Sequence, residues 1–325
     1  MHAWICNEFA GPDQLVWQAQ PTPEPGKGEV RIAIKAASLN FPDLLIVQGK
    51  YQMKPALPFV PGAEFAGVVE AVGEGVKHLA VGTHVAGFAG TGGFGTHAVA
   101  PAAVLMPLPP AFSFEDAAAF LCTYGTTYHA LMDRAALQAG ETVLVLGAAG
   151  GVGTAAIQIA KAAGARVIAA ASTDEKCALC TSIGADATIN YQTQNLREAL
   201  KALTDGKGPD VVYDPVGGDL SEQAFRSIAW RGRHLVIGFA NGPIPALPLN
   251  LALLKGASIV GVFWGEFAKR EPQKNAACLM QLAAWYMEGK IKPVIEHKLP
   301  MAQLKAGFDL MGSRQVRGKV VVVNA

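Results

Sequence analysis

The stretch that decides the fold is Thr142–Gly164, "TVLVLGAAGGVGTAAIQIAKAAG". It opens on a β-branched and aliphatic run, breaks into small residues, and continues with apolar positions at helical spacing. A strand, a tight turn and a helix in that order make half of a βαβ unit. Gly150, Gly151 and Gly153, with Ala149 and Val152 among them, leave the backbone open to a pyrophosphate. The helix that follows aims its unpaired N–H groups and positive dipole end at such an anion. The spacing here is Ala148, Gly150, Gly153 rather than three glycines, so the weight rests on the context of strand before and helix after.

Moving outward, the same texture repeats. "RVIAAAS", "DATINY", "DVVYDPV", "RHLVIGF" and "ASIVGVF" are apolar runs separated by helical segments. With the first strand they predict a doubly wound, six-stranded parallel sheet covered by helices on both faces, an α/β fold. On the N-terminal side the texture differs: "GEVRIAIKAASLN", "FAGVVEAVG", "HVAGF" and "GTHAVAPAAVLMPLP" are short strands punctuated by Gly and Pro, which predicts a β-rich lobe. Between the two, "FEDAAAFLCTYGTTYHALMDRAAL" reads as one long helix, capped by Ser113 and ending near Gly140. After Trp264 come a helix, "PQKNAACLMQLAAWYMEGK", and the strand-like "PVIEHKLP" and "GKVVVVNA", expected to rejoin the first lobe. The expected boundaries are 1–118 for the first part of the β-rich domain, 119–262 for the cofactor domain and 263–325 for the return.

A net charge of +1, with 16% charged residues and no basic cluster, argues against nucleic acid as a partner. "MHAWICNEF" shows neither a signal peptide nor a membrane span, so no membrane partner and a cytoplasmic location are expected. Five cysteines do not make a disulfide framework. Cys177 and Cys180 form a C-x-x-C in the helix after the second strand, read as helix packing, and the seven histidines show no paired ligand spacing.

An acid that hydrogen-bonds the adenosine ribose should end the second strand, about 20 residues after the glycine turn. Ser172 and Thr173 stand there instead, with Lys176 one helical turn on and Asp174 and Glu175 between. A hydroxyl pair leaves room for a 2′-phosphate and donates to it, and the ammonium supplies positive charge; this favours NADPH over NADH. The same residues also read as a capping box, Ser172 at the N-cap and Glu175 three positions on, and the two readings are compatible.

The motifs "SLNFPDLLIVQGKY", "LPFVPGAEFAGVVEAVGEGV", "GAAGGVGTAAIQIAKAAGA", "GADATINY" and "DVVYDPVGGD" resemble the medium-chain dehydrogenase/reductase superfamily over essentially the full length. The branch they resemble is that of the zinc-free NADPH:quinone oxidoreductases, the zeta-crystallin-like reductases. The resemblance implies a GroES-like catalytic domain and a Rossmann cofactor domain. Zinc-dependent alcohol dehydrogenases of this superfamily carry Cys, His and Cys where this chain has Asn40, Ala63 and Cys122, and their four-cysteine lobe has no counterpart here. A catalytic zinc takes three protein ligands, so no metal is expected.

The chemistry the resemblance implies is hydride transfer to a quinone or another α,β-unsaturated carbonyl. Such a reaction needs an aligned acceptor and a donor for the oxygen that becomes negative. Asn40 and Tyr51 match positions lining the substrate cleft, with Asp43 and Glu64 as braces of the loop. Tyr191 and Arg314 match residues that join Lys176 at the 2′-phosphate, Arg317 being the competing choice for Arg314. Thr126, Gly238, Phe239 and Phe263 match the nicotinamide side, and Gly217 is a further expected cofactor contact. Leu45 stands where bacterial relatives often have a tyrosine, and His84 where the family commonly has Arg. A homodimer is expected through the edge strand around Ser258–Phe263. Two other readings stay open: reduction of a 2-enoyl thioester with Tyr51 as proton donor, and a non-catalytic crystallin-like role.

Overall fold

Two units divide the chain, Met1–Cys122 with Ile295–Ala325, and Thr123–Val294, in a computed structural model that describes residues 1–324. In chain order the first unit contributes β1 (His2–Ile5), β2 (Val16–Ala19), β3 (Glu29–Ser38), α1 (Phe41–Val47), β4 (Glu64–Val72), β5 (His84–Phe88), β6 (His97–Pro101), β7 (Leu105–Pro107) and α2 (Phe114–Ala118). The helix α3 (Leu121–Tyr128) spans the boundary. The second unit continues with β8 (Thr142–Leu146), α4 (Gly151–Ala162), β9 (Arg166–Ala171), α5 (Asp174–Ser182), β10 (Ala187–Asn190), α6 (Leu196–Leu203) and β11 (Val211–Asp214). It ends with α7 (Gly218–Ser227), β12 (Arg233–Val236), α8 (Leu249–Lys255), β13 (Ser258–Gly261), α9 (Trp264–Arg270) and α10 (Pro272–Met287). The chain then returns to the first unit as β14 (Ile295–Pro300), α11 (Leu304–Gly312) and β15 (Lys319–Val323).

In the first unit a seven-stranded sheet runs β14-β15-β3-β4-β5-β7, with β6 also paired to β3. Along β3 the alternation expected of a half-buried strand is plain: Val30, Ile32, Ile34 and Ala36 face the core, while Glu29, Arg31, Ala33 and Lys35 are only half-buried. The core they enter also holds Phe65, Phe94, Phe308, Val320 and Val322. β1 and β2, unread in the sequence, form a separate antiparallel pair.

The second unit carries the expected six-stranded sheet, in the order β10-β9-β8-β11-β12-β13 and parallel throughout. Its central strands are buried on both faces, as Val143 to Leu146 and Val211 to Tyr213 show, which is why they read as unbroken apolar runs. The order reverses at β8, between β9 on one side and β11 on the other, and this switch point is where a doubly wound sheet opens a crevice.

Three expectations are corrected. The long helix after Ser113 is broken: Ser113 does cap α2, accepting the Asp116 N–H at 3.1 Å, but the chain leaves the helical path at Ala119 and resumes as α3. α3 then widens into a π-type turn over His129–Arg134, where the His129 ring stacks on Phe267 at 4.0 Å. The return to the first unit comes at Ile295 and not at 263, because α9 and α10 stay with the second unit. The Trp264 ring lies against Gly125, Tyr128 meets Trp285 at 5.6 Å, and Gln158 bonds the backbone of Lys292 at both its amide ends. Lastly, Thr173 and not Ser172 caps α5, its hydroxyl accepting the Lys176 N–H at 3.3 Å.

Candidate active-site groups

A parallel sheet brings all its strand C-termini to one edge. In the second unit Ala149 to Gly153 follow β8, Ser172, Thr173 and Lys176 follow β9, and Tyr191 follows β10. Gly217 follows β11, Gly238 and Phe239 follow β12, and Phe263 follows β13. Thr126, on α3, comes from outside the sheet. At the glycine turn, a Cβ on Gly153 would lie 2.4 Å from the Gly147 carbonyl oxygen, so only glycine lets α4 start this close to the turn. The N–H groups of the first turn of α4 have no partner within the helix and face outward from it, as an anion site requires.

At the end of β9 the Lys176 Nζ lies 3.4 Å from the Ser172 Oγ. The neighbouring acid is engaged elsewhere: the Asn190 Nδ2 donates to the Asp174 Oδ1 at 2.7 Å. Tyr191 is half-buried beside them, with its N–H bonded to the Ala171 carbonyl at 3.1 Å. Cys177 and Cys180 are buried on the inner side of α5, and burial pushes both thiols up, Cys180 to about 12, which fits packing and not redox chemistry.

The first unit holds a buried polar cluster. Glu64, heading β4, accepts the Ser38 hydroxyl at 2.9 Å, the Asn40 Nδ2 at 3.0 Å and the Cys122 N–H at 2.8 Å. Asp43, in the first turn of α1, accepts the Asn40 N–H at 2.8 Å and the Ala63 N–H at 3.0 Å. These two bonds tie the start of α1 to the residue before β4. Burial raises its carboxyl to about 7; those two N–H groups and Lys319 oppose the rise, and Glu64 adds to it.

Lys319, the first residue of β15, is the member the sequence reading missed. Its buried ammonium donates to the Leu39 carbonyl at 2.9 Å and to the Asn40 Oδ1 at 2.5 Å, and stands 3.8 Å from Glu64. The Asn40 amide is therefore oriented from both ends, with its oxygen on Lys319 and one Nδ2 hydrogen on Glu64, which leaves the second hydrogen to donate. Tyr51 is half-buried, and burial, with Cys122 and Asp43 nearby, pushes its phenol up, so the hydroxyl keeps its proton across the physiological range. His84 packs its ring on Phe114 at 4.7 Å, a structural reason for its presence. Leu45 lies half-buried on α1. Arg314 belongs to the first unit, just beyond α11 with a φ of 57°, and the competing Arg317 is paired to Glu296 at 2.6 Å.

A β-rich unit joined to a doubly wound sheet with a glycine turn defines a medium-chain dehydrogenase/reductase. Family models agree: the alcohol dehydrogenase GroES-like domain matches residues 26–110, and the zinc-binding dehydrogenase domain matches residues 151–284. A quinone oxidoreductase-like protein 2 homolog of Nematostella vectensis is 40% identical over 98% of this chain and 88% of its own length. The Thermus thermophilus quinone oxidoreductase, solved alone and with NADPH, superposes with a TM-score of 0.87 at 35% identity, covering 100% of both chains. The Escherichia coli quinone oxidoreductase complexed with NADPH gives 0.93 at 29% identity, again over 100% of both. The chain belongs to the quinone oxidoreductase family of medium-chain dehydrogenases/reductases.

One of the matched models is named for zinc, and the residues here do not fit a catalytic zinc. Of Asn40, Ala63 and Cys122, only Cys122 is a soft ligand, and burial with Glu64 beside it pushes its thiol strongly up. The Asn40 oxygen already faces the Lys319 ammonium. Among the described residues no group of three or more His, Cys, Asp or Glu side chains is placed to hold a metal.

Proposed function

We propose that the chain is an NADPH-dependent oxidoreductase that reduces a quinone or another α,β-unsaturated carbonyl without a metal. The observation that carries this reading is the Lys319–Asn40–Glu64 network, in which an ammonium and a carboxylate fix the Asn40 amide at one of the three positions matched to metal ligands in zinc enzymes of the superfamily. Bound NADPH supplies a hydride. The glycine turn at Ala149–Gly153 and the N-terminus of α4 hold its pyrophosphate, and Ser172, Thr173, Lys176 and Tyr191 meet the 2′-phosphate. Thr126, Gly217, Gly238, Phe239 and Phe263 meet the nicotinamide.

As hydride reaches the conjugated system, two electrons move onto the acceptor oxygen. The second Nδ2 hydrogen of Asn40 donates to that oxygen, and Tyr51 transfers its phenolic proton to it, then recovers a proton from water. Asp43 holds the loop and takes no part in the transfer, since its two oxygens already accept the Asn40 and Ala63 N–H groups. The chain acts as a cytoplasmic homodimer joined along β13, a sheet edge whose Ile259 is exposed, with Phe263 exposed just beyond it. Among the described residues no helix is long and apolar enough to cross a membrane. The test is NADPH oxidation with a benzoquinone, a simple enone and crotonyl-CoA. Turnover on the first two supports the proposal; turnover on crotonyl-CoA alone replaces it with thioester reduction; firm NADPH binding without turnover on any replaces it with a binding role.

A further inference from the structure

Asp214 closes β11 and is almost fully buried. One of its carboxylate oxygens accepts the N–H groups of Val216 and Gly217, both at 2.9 Å. The other accepts the Ser221 hydroxyl and lies 3.1 Å from the His234 Nε2. His234 is itself buried, on β12, and its Nδ1 has no hydrogen-bond partner among the described residues. The ring is therefore held by a single bond, with Nε2 as donor to Asp214 and Nδ1 bare. Nothing in the hydride chemistry above uses these three side chains.

What they do use their bonds for is two loops. Gly217, at φ 74° and ψ −158°, sits in a backbone region that only glycine enters at low cost, and Gly218 follows at φ 61°. Left alone, the N–H groups of such a turn would be orphaned in the interior, at a cost comparable to a lost hydrogen bond each. The Asp214 carboxylate removes that cost at Val216 and Gly217. The Asp214 carbonyl accepts the N–H of Ile237 at 2.9 Å, and the loops are stitched further by Ala240 to Pro215 at 3.1 Å and Asn241 to Val216 at 2.8 Å. A Cβ on Gly217 would lie 3.0 Å from the Phe239 ring, so the two loops are in contact. The 2′-phosphate groups, by contrast, sit on β9 and α5, on the far side of β8 from β11.

We propose that Asp214, with Ser221 and His234, is a positioning cluster that locks the loops bearing Gly217, Gly238 and Phe239, and so fixes the nicotinamide end of the nucleotide independently of its phosphate end. This rests on the NADPH reading for the ligand, while the loop lock stands on the geometry alone. The cluster touches no reacting atom; it acts through the two loops.

The experiment compares binding of NADPH with binding of 2′,5′-ADP, which carries only the phosphate end, in the wild type and in Asp214→Asn, Ser221→Ala and His234→Gln, by titration calorimetry. Asp214→Asn weakens NADPH about tenfold or more and leaves 2′,5′-ADP within about twofold, as expected for loss of charge-assisted bonds. Ser221→Ala, which keeps the other three donors, gives a smaller change of the same sign. The primary deuterium isotope effect on NADPH oxidation rises in both variants as hydride transfer slows. Equal losses for the two ligands, or undiminished NADPH binding in all three variants, overturns the proposal. Amide exchange without ligand gives a second readout that needs no nucleotide. Faster exchange at Gly217 and Gly238, with β9 unchanged, supports the lock, and a uniform change or none overturns it. A wild type that binds neither ligand removes the NADPH reading, and the exchange result then decides the lock by itself.

Discussion

Lys176 and Ser172 are the residues proposed to set the preference for a phosphorylated nucleotide, and the lysine is testable by itself. Lys176→Ala removes the ammonium proposed to face the 2′-phosphate. NADPH affinity should fall about tenfold or more while NADH changes little, measured as the two dissociation constants; equal losses would remove the assigned role. Tyr51→Phe deletes the proposed proton donor and leaves the ring. The expected result is a loss of about a hundredfold in kcat at nearly unchanged NADPH affinity, on the scale of a lost oxyanion donor. Asp43 predicts a pH dependence of stability. Burial raises its carboxyl to about 7 in the folded protein, against about 3.9 unfolded. Folded protein then binds the proton more tightly than unfolded chain. The contribution is full below about pH 4 and lost as pH rises through about 7. Denaturation at a series of pH values should show wild-type stability falling relative to Asp43→Asn over that window, and parallel curves would contradict it.

At the scale of elements, the proposed dimer contact is assigned to β13, the last strand of its sheet. Its unpaired edge presents Ile259, 43% exposed, with Phe263, 55% exposed, just after the strand. Ile259→Lys places a charge on that edge and should shift the dimer toward monomer in sedimentation velocity, with the second unit still folded; an unchanged dimer would move the interface elsewhere. The six parallel strands were legible because each is short, apolar and flanked by helical texture, so local pattern sufficed. The helix after Ser113 was not, because its break at Ala119 and its wide turn at His129 follow from contacts such as the His129–Phe267 stack, made with a segment more than a hundred residues away. The late return at Ile295 has the same cause. Gln158 and Trp285 bind α10 and its C-terminal extension to the second unit by contacts that no local periodicity reports.

For the whole molecule, the two sets of candidate residues differed in how much the sequence disclosed. The candidate nucleotide groups follow successive strand ends, and a parallel sheet places strand ends together, so topology alone collects Gly150, Ser172, Tyr191, Gly217 and Gly238 at one edge. The acceptor groups depend on pairing across the length of the chain. Lys319 reaches Asn40 only because β15 pairs with β3, Val321 against Ser38, and a lysine at the head of "GKVVVVNA" carries no local sign of burial. That lysine sets the central claim, since its ammonium engages the oxygen of Asn40, which stands at one of the positions matched to zinc ligands. The most direct test is turnover of NADPH with a benzoquinone by protein stripped of metal, with metal content measured on the same sample. The account predicts undiminished turnover with zinc far below one equivalent; activity that vanishes on stripping and returns with one equivalent of zinc would contradict it.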